Sequence, residues 1–403
     1  PWLFTRDPFQ EGLRQKWHKD CFLPLDGRIS PWDYDVHGSR TLPVPSCWNL
    51  QVPELMHYEG TAWLGRWLDG MAARPGERVF LRVGAAPYDC KVFLDGAFLG
   101  NHLGASTPFL VELTDRLRER SFLHLCLDNT RTAQRVPMHH IDWFNYGGLF
   151  REVELVRLPQ LFIKDLFVRL TPDGRAIAVD VTLSDSLDAT VEIAVPGLGL
   201  RHALPVRAGH GSTALATVPE RWSPERPTLY DVTATLAADT VRERIGLRTI
   251  EARGGDILLN GEPVFLKGIC VHEDDVTLGR VATDADIIRR LGHAKELGCT
   301  FLRLAHYPHH ERTAELADEA GVMLWEEIPV YWAIDFADPG TLADADNQLR
   351  ELILRDRNRA SVAIWGVGNE NADTDTRLAF MVHLAATARA ADGSRPVSAA
   401  CLV

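Results

Sequence analysis

Asn369-Glu370 follows directly on the apolar run Ser361-Val362-Ala363-Ile364-Trp365-Gly366-Val367-Gly368, so an amide and a carboxyl stand where a buried strand runs out. A carboxyl carried by such a strand to the lip of a sheet lies partly in water, where it can hold a proton for acid chemistry and later take one back. The plainer alternatives are a solvated loop glutamate at 370 and a helix-capping asparagine at 369. A second polar group comes from Phe301-Leu302-Arg303-Leu304-Ala305-His306-Tyr307-Pro308. Strand alternation puts Arg303 and Ala305 on one face and Leu304 and His306 on the other. This predicts that Arg303 points inward to pair with Glu370 or Glu327, while His306 and Tyr307 lie at the rim. Such an arginine can equally sit in a purely structural ion pair. His306 and His310 have the i, i+4 spacing of a zinc pair, but Pro308 lies between them and no Glu follows His306. The H-E-x-x-H geometry therefore fails, and neither a metal nor a cofactor is expected.

A third group is Met138-His139-His140-Ile141-Asp142-Trp143-Phe144-Asn145-Tyr146-Gly147-Gly148-Leu149-Phe150-Arg151, which sets Asp142 among aromatics and ends in a glycine pair. Aromatic faces beside an acid suit sugar recognition, and aromatic core is the alternative.

The elements that must position these groups belong to a large chain. Its 403 residues, 46% of them apolar, are too many for one ordinary core. A net charge of −12 removes excess Lys and Arg as a source of phosphate binding, so nucleic acid is not an expected partner. Cys21, Cys47, Cys90, Cys126, Cys270, Cys299 and Cys401 show no C-x-x-C spacing and are expected to be buried thiols in a reducing compartment, the cytoplasm. No run approaches the ~18 apolar residues of a membrane span, and Pro1-Trp2-Leu3-Phe4-Thr5-Arg6 has no secretory n- or h-region. A start without Met suggests that residues precede it.

Up to about Pro159 short alternating runs are broken by turn signals, as in Lys91-Val92-Phe93-Leu94-Asp95-Gly96-Ala97-Phe98-Leu99, whose Asp-Gly predicts a two-residue hairpin. Residues 1–159 are therefore expected to form a β-sandwich. Residues 160–252 predict strands near 163–170, 176–184, 189–195, 212–218, 229–237 and 241–247, which suits an immunoglobulin-like sandwich. From 253 to 403, apolar runs near 263–271, 300–306, 322–328, 362–368 and 396–402 alternate with helical segments. Thr283 and Asp286 predict a capping box, Ile287, Leu291, Ala294 and Leu297 share a face, and Gly298 closes that helix. Leu342, Leu349, Leu352 and Ile353 mark another. A doubly wound sheet would want G-x-G-x-x-G after its first strand, where His272-Glu273-Asp274-Asp275 stands instead. Polar groups at successive strand ends, His272 and Asp274, His306 and Tyr307, Glu327, then Asn369 and Glu370, favour the first part of a (β/α)8 TIM barrel. About five strands leave an open edge, which predicts completion by further residues or by a partner.

In order along the chain, Asn145-Tyr146-Gly147-Gly148-Leu149 after Asp142, Trp222-Ser223-Pro224-Glu225-Arg226-Pro227-Thr228-Leu229-Tyr230, Ile245-Gly246-Leu247-Arg248-Thr249-Ile250-Glu251, Lys267-Gly268 running to His272-Glu273-Asp274, Arg303 to Pro308, Trp325-Glu326-Glu327-Ile328-Pro329 and Trp365 to Glu370 resemble glycoside hydrolase family 2, in particular its β-glucuronidase members. The resemblance implies a multidomain β plus α/β chain: a jelly-roll sugar-binding domain, an immunoglobulin-like sandwich and a TIM barrel. It implies a retaining exo-β-glycosidase that needs no metal, acts on small-molecule or oligosaccharide β-glycosides and forms a homo-oligomer; the charge and the lack of a long apolar run make neither nucleic acid nor membrane an expected partner. Carried over residue by residue, Glu370 is the general acid/base, Asn369 contacts the hydroxyl beside the anomeric carbon, His272 lines the sugar pocket and Asp142 reaches into it. The family's nucleophilic Glu and its Asn-x-Lys carboxylate-recognition element match no position here, and Glu327 matches a supporting residue. β-Galactosidase or another family 2 specificity, and a non-catalytic carbohydrate-binding fragment, are the alternatives.

Overall fold

The computed structural model describes residues 1–20 and 40–402, so Cys21 lies outside the described residues. Two compact units are formed. The first contains Pro1–Arg157, Glu273–Ala282 and Ala333–Asp344; the second contains Leu158–His272, Thr283–Trp332 and Ala345–Val403.

In the first unit, Arg40–Leu42, Trp2–Asp7, Thr61–Asp69, Arg120–Asp128, Asp89–Leu94 and Ala97–Leu103 lie in that order in an antiparallel six-stranded sheet. A three-stranded sheet of Val153–Pro159, Glu77–Val83 and Phe109–Glu112 packs against it. Alternate residues explain the core: Leu64, Leu125 and Leu127 of one sheet meet Val79, Leu81 and Val83 of the other. The opposite face of the larger sheet is also covered, by Trp17, Trp63, Phe93 and Phe122. Asp95 and Gly96 both take positive φ, 50° and 76°, and Leu94 pairs with Ala97, giving the hairpin expected from Asp-Gly.

The second unit begins with a seven-stranded sandwich. Ile163–Leu170, Ala176–Leu183 and His210–Ala216 form one sheet, and Leu200–Val206, Ala189–Val195, Tyr230–Leu236 and Asp239–Ile245 the other. Every second residue of Ala176–Leu183 is buried, and Val168, Ile177, Val179, Val191, Ile193, Leu204 and Val232 fill the space between the sheets. Leu200–Val206 was not among the expected strands. It is an edge strand, which tolerates Pro205 and the polar Arg201-His202 pair.

A parallel sheet follows, whose strands are β1 (Gly268–Val271), β2 (Phe301–Leu304), β3 (Met323–Glu327), β4 (Val362–Asn369) and β5 (Val397–Ala400), hydrogen-bonded in sequential order. An order without reversal is that of a barrel, not of a doubly wound sheet. The helices are α1 (Asp284–Glu296), α2 (Glu311–Ala320), α3 (Pro339–Asp356) and α4 (Asp375–Ala391). Thr283 and Asp286 form the capping box of α1, and Gly298 takes φ 74° beyond its end. Leu297 corrects the expected helix face: it is the C-cap residue and 65% exposed, whereas Ile287, Leu291 and Ala294 are buried.

The expected strand over 263–271 is also corrected. Glu262–Pro263 joins a separate ribbon with Ile250–Arg253 and Asp256–Leu259, Phe265 is 84% exposed, and only Gly268–Val271 enters the parallel sheet. Gly268 permits that entry, since a Cβ there would lie 2.1 Å from the Phe301 carbonyl oxygen. Within the second unit Trp222 is fully buried and donates from Nε1 to the Asp318 carbonyl at 2.9 Å, and Arg248 donates to the carbonyls of Ala360 and Val362. The conspicuous Trp222 segment is thus a packing element. Cys47, Cys90, Cys126 and Cys299 are buried free thiols, but Cys270 and Cys401 are exposed, contrary to the expectation of burial. Cys270 lies on β1, at the edge of the sheet, and Cys401 follows β5 at the other edge.

Candidate active site

All eight residues of β4 are buried, because a central parallel strand is covered on both faces. Asn369 ends it at 3% exposure, and Glu370 emerges beyond it with φ 50°. Gly366 makes room beside it: a Cβ there would lie 2.2 Å from Trp325 Nε1 and 2.6 Å from Glu327 Cβ on β3.

Arg303 on β2 reaches these neighbours. Its Nε and Nη2 donate to the two carboxylate oxygens of Glu327, each at 2.9 Å, and Nη2 also donates to Asn369 Oδ1 at 2.6 Å. Its guanidinium lies 5.1 Å from the centre of the Trp325 ring. The arginine therefore pairs with Glu327 and Asn369, not with Glu370. His306 Nδ1 lies 2.6 Å from Glu327 Oε1, so Arg303 and His306 meet the same carboxylate. The expected opposite facing of these residues is corrected, because β2 ends at Leu304 and strand alternation stops there.

A guanidinium only donates, so the Asn369 amide oxygen must face Arg303. Its buried Nδ2 has no hydrogen-bond partner among the described residues and remains a donor at the strand end. His272 packs edge-on against His306 with ring centres 5.5 Å apart, and its Nδ1 lies 3.2 Å from the Tyr307 hydroxyl. His272, Arg303, His306, Glu327, Asn369 and Glu370 thus gather at the C-terminal ends of β1 to β4. His310 accepts from the Arg312 backbone N–H at 3.1 Å as the N-cap of α2.

Two aromatics that were not singled out in the sequence join this rim. Trp332 Nε1 donates to Glu370 Oε2 at 3.0 Å, and Tyr331 lies with its ring centre 4.8 Å from Trp332 and 5.0 Å from His306. The available signal was an aromatic pair directly after Ile328-Pro329-Val330, where the loop leaving β3 begins.

Asp142 is exposed on a loop of the first unit. Phe144 and Tyr146 beside it have ring centres 4.7 Å apart. The glycine pair that follows packs against Trp48: a Cβ on Gly147 would lie 1.9 Å from its ring, and Gly147 accepts the Trp48 backbone N–H at 2.9 Å. Asp274, expected at the barrel rim beside His272, belongs instead to the first unit, where it accepts the Tyr146 hydroxyl at 2.8 Å. Burial, reinforced by this bond, pushes the Tyr146 phenol well above its ordinary value. Glu273 beside it is fully buried and ion-paired with Arg151 at 2.9 Å.

Residues 161–248 match the family model "Glycosyl hydrolases family 2", and residues 250–400 match "Glycosyl hydrolases family 2, TIM barrel domain". A β-glucuronidase of Paenibacillus borealis is 28% identical over 98% of this chain and 71% of its own length. A β-galactosidase of Arthrobacter sp. is 30% identical over 93% of this chain and 35% of its own length. The structure of a family 2 β-galacturonidase from Eisenbergiella tayi is 30% identical, with a TM-score of 0.80, over 90% of this chain and 67% of its own. The chain spans from 35% to 71% of the length of these relatives. Ordered motifs, a sandwich followed by sequential parallel strands, and these likenesses agree: the chain belongs to the glycosyl hydrolases family 2.

Proposed function

We propose that the protein is a retaining exo-β-glycosidase that hydrolyses terminal β-glucuronides, with Glu370 as its acid/base. The observation that carries this reading is the Asn369–Glu370 pair at the end of β4, where Arg303 holds the amide oxygen and leaves Nδ2 free to donate beside an exposed carboxyl. In the first step Glu370 gives its proton to the glycosidic oxygen as the bond from that oxygen to the anomeric carbon breaks. A second carboxylate forms the covalent intermediate. In the second step Glu370 takes a proton from water, the water oxygen bonds the anomeric carbon, and the second carboxylate leaves.

Asn369 Nδ2 would hold the hydroxyl next to the anomeric carbon, with His272 and His306 lining the sugar site and Arg303 fixing the amide. Glu327 is not assigned as the nucleophile: at 1% exposure its oxygens already accept two Arg303 bonds and meet His306, the environment of a supporting residue. The nucleophile is assigned to no residue of this chain. Asp142 is a substrate contact on the family likeness alone, tested by the KM of Asp142→Asn. The same likeness supports a homo-oligomer and domains over 1–159, 160–252 and 253–403, tested by light scattering and limited proteolysis. The free thiols support a cytoplasmic location, tested by fractionation.

The decisive assay compares p-nitrophenyl β-glucuronide, β-galacturonide and β-galactoside with the protein at its native length. The glucuronide is expected to be preferred. Glu370→Gln should abolish its turnover, with azide partly restoring activity on a substrate that has an activated leaving group. An unchanged Glu370→Gln rate would end the acid/base assignment, and preference for another sugar would replace the glucuronide.

A further inference from the structure

Glu370 and Trp332 are both non-glycine residues held at φ 50°, a left-handed conformation that persists only where surrounding bonds over-determine it. Those bonds are present. Trp332 N–H donates to the Asn369 carbonyl at 3.0 Å, Asn369 N–H to the Val330 carbonyl at 2.9 Å, and Glu370 N–H to the Ala400 carbonyl at 2.6 Å. Asn371 Nδ2 donates to the Trp332 carbonyl at 2.8 Å, and the stacked Tyr331 ring fixes the indole plane from the side. The loop after β3 and the end of β4 are thereby laced together. At the centre of this lacing the indole Nε1 donates to Glu370 Oε2 at 3.0 Å.

We infer that Trp332 is a positioning residue for Glu370, one that holds the carboxyl by Oε2 and so reserves Oε1 for the proton that is delivered and recovered. The inference rests on the acid/base assignment of Glu370. An indole N–H donates and cannot accept, so it must face an oxygen lone pair in both protonation states. In the neutral acid the carbonyl oxygen is the stronger acceptor, which favours the O–H on Oε1. When Oε1 gives its proton to the leaving oxygen, the new negative charge is shared with an oxygen already receiving a hydrogen bond. When water attacks in the second step, Oε1 takes the proton back. An exposed glutamate otherwise samples several rotamers, each wrongly aimed for most of the time.

The test uses the native-length protein with Trp332→Phe and with benzothienylalanine at position 332, which keeps the fused ring and replaces only the N–H. Loss of that bond should lower kcat/KM about tenfold for a phenyl β-glucuronide, whose poor leaving group needs the proton, and less than about twofold for the 2,4-dinitrophenyl compound, which does not. Equal losses on both substrates overturn the inference, as does a rise in KM alone, which would make the ring a sugar platform. Glu370→Gln separates the two ideas. If it abolishes turnover of the phenyl compound while both position-332 variants leave leaving-group selectivity unchanged, the acid/base assignment stands and the role of Trp332 falls.

Discussion

Replacing Arg303 by Met, alone and together with Glu327→Met, separates a structural ion pair from a catalytic support. Arg303 makes two bonds of 2.9 Å to a carboxylate that is 1% exposed, and one of 2.6 Å to Asn369. Three charge-assisted bonds at about 1.5–3 kcal/mol each would sum to more than the protein loses. With the cation gone the Glu327 carboxyl stays buried without its charge partner but keeps its contact with His306, so the smaller figure for breaking a buried pair, about 3–5 kcal/mol, is the expected destabilisation of Arg303→Met. In the double variant neither charge remains, and stability should return to within about 2 kcal/mol of the parent. Activity should not return. Asn369 Oδ1 has lost its donor in both variants, the amide is free to turn, and kcat/KM on the preferred glycoside should stay down about 100-fold. Urea unfolding followed by tryptophan fluorescence, compared at matched slopes, reads the first quantity, and steady-state kinetics the second. Activity that recovers along with stability would show that the arginine only stabilises the fold. A loss under about 1 kcal/mol in Arg303→Met would show that the buried pair is not coupled as argued.

His124 is fully buried, its ring nitrogens have no hydrogen-bond partner among the described residues, and burial pushes its pKa down to about 3 from an ordinary 6.5. The folded ring stays neutral while the unfolded chain takes up a proton below pH 6.5, so this contribution to stability is lost as pH falls through that window. At pH 5 the loss is about 2 kcal/mol, and His124→Phe should remove it; equal losses between pH 7 and pH 5 in parent and variant would refute the argument. Gly147→Ala should cost at least about 1–3 kcal/mol by overpacking, since its Cβ would lie 1.9 Å from Trp48, whereas Gly255→Ala meets nothing within 4 Å. Thermal melts that fall equally for the two would be the contrary result.

Much of the scaffold was legible because it depends on near neighbours in the chain. The Thr283–Asp286 box, the Asp95-Gly96 turn and the alternation of Ala176–Leu183 are set within a few residues, and all three appear as expected. Where expectation failed, distant packing had overridden local pattern: Leu200–Val206 became a strand by pairing with Ala189–Val195, and Phe265 left the sheet because only Gly268 lets the chain approach Phe301.

The sequence by itself determined that Asn369 and Glu370 stand at the end of a buried strand, because an unbroken apolar run followed by polar residues has few other places to go. Tertiary structure alone decided their partners. That Arg303 holds Asn369 and Glu327 but not Glu370, that His306 turns back onto Glu327, and that Trp332 reaches Glu370 all follow from parallel register and from where β2 and β3 stop. Side-chain partnerships across a sheet are contacts between residues far apart in sequence, so no local period encodes them.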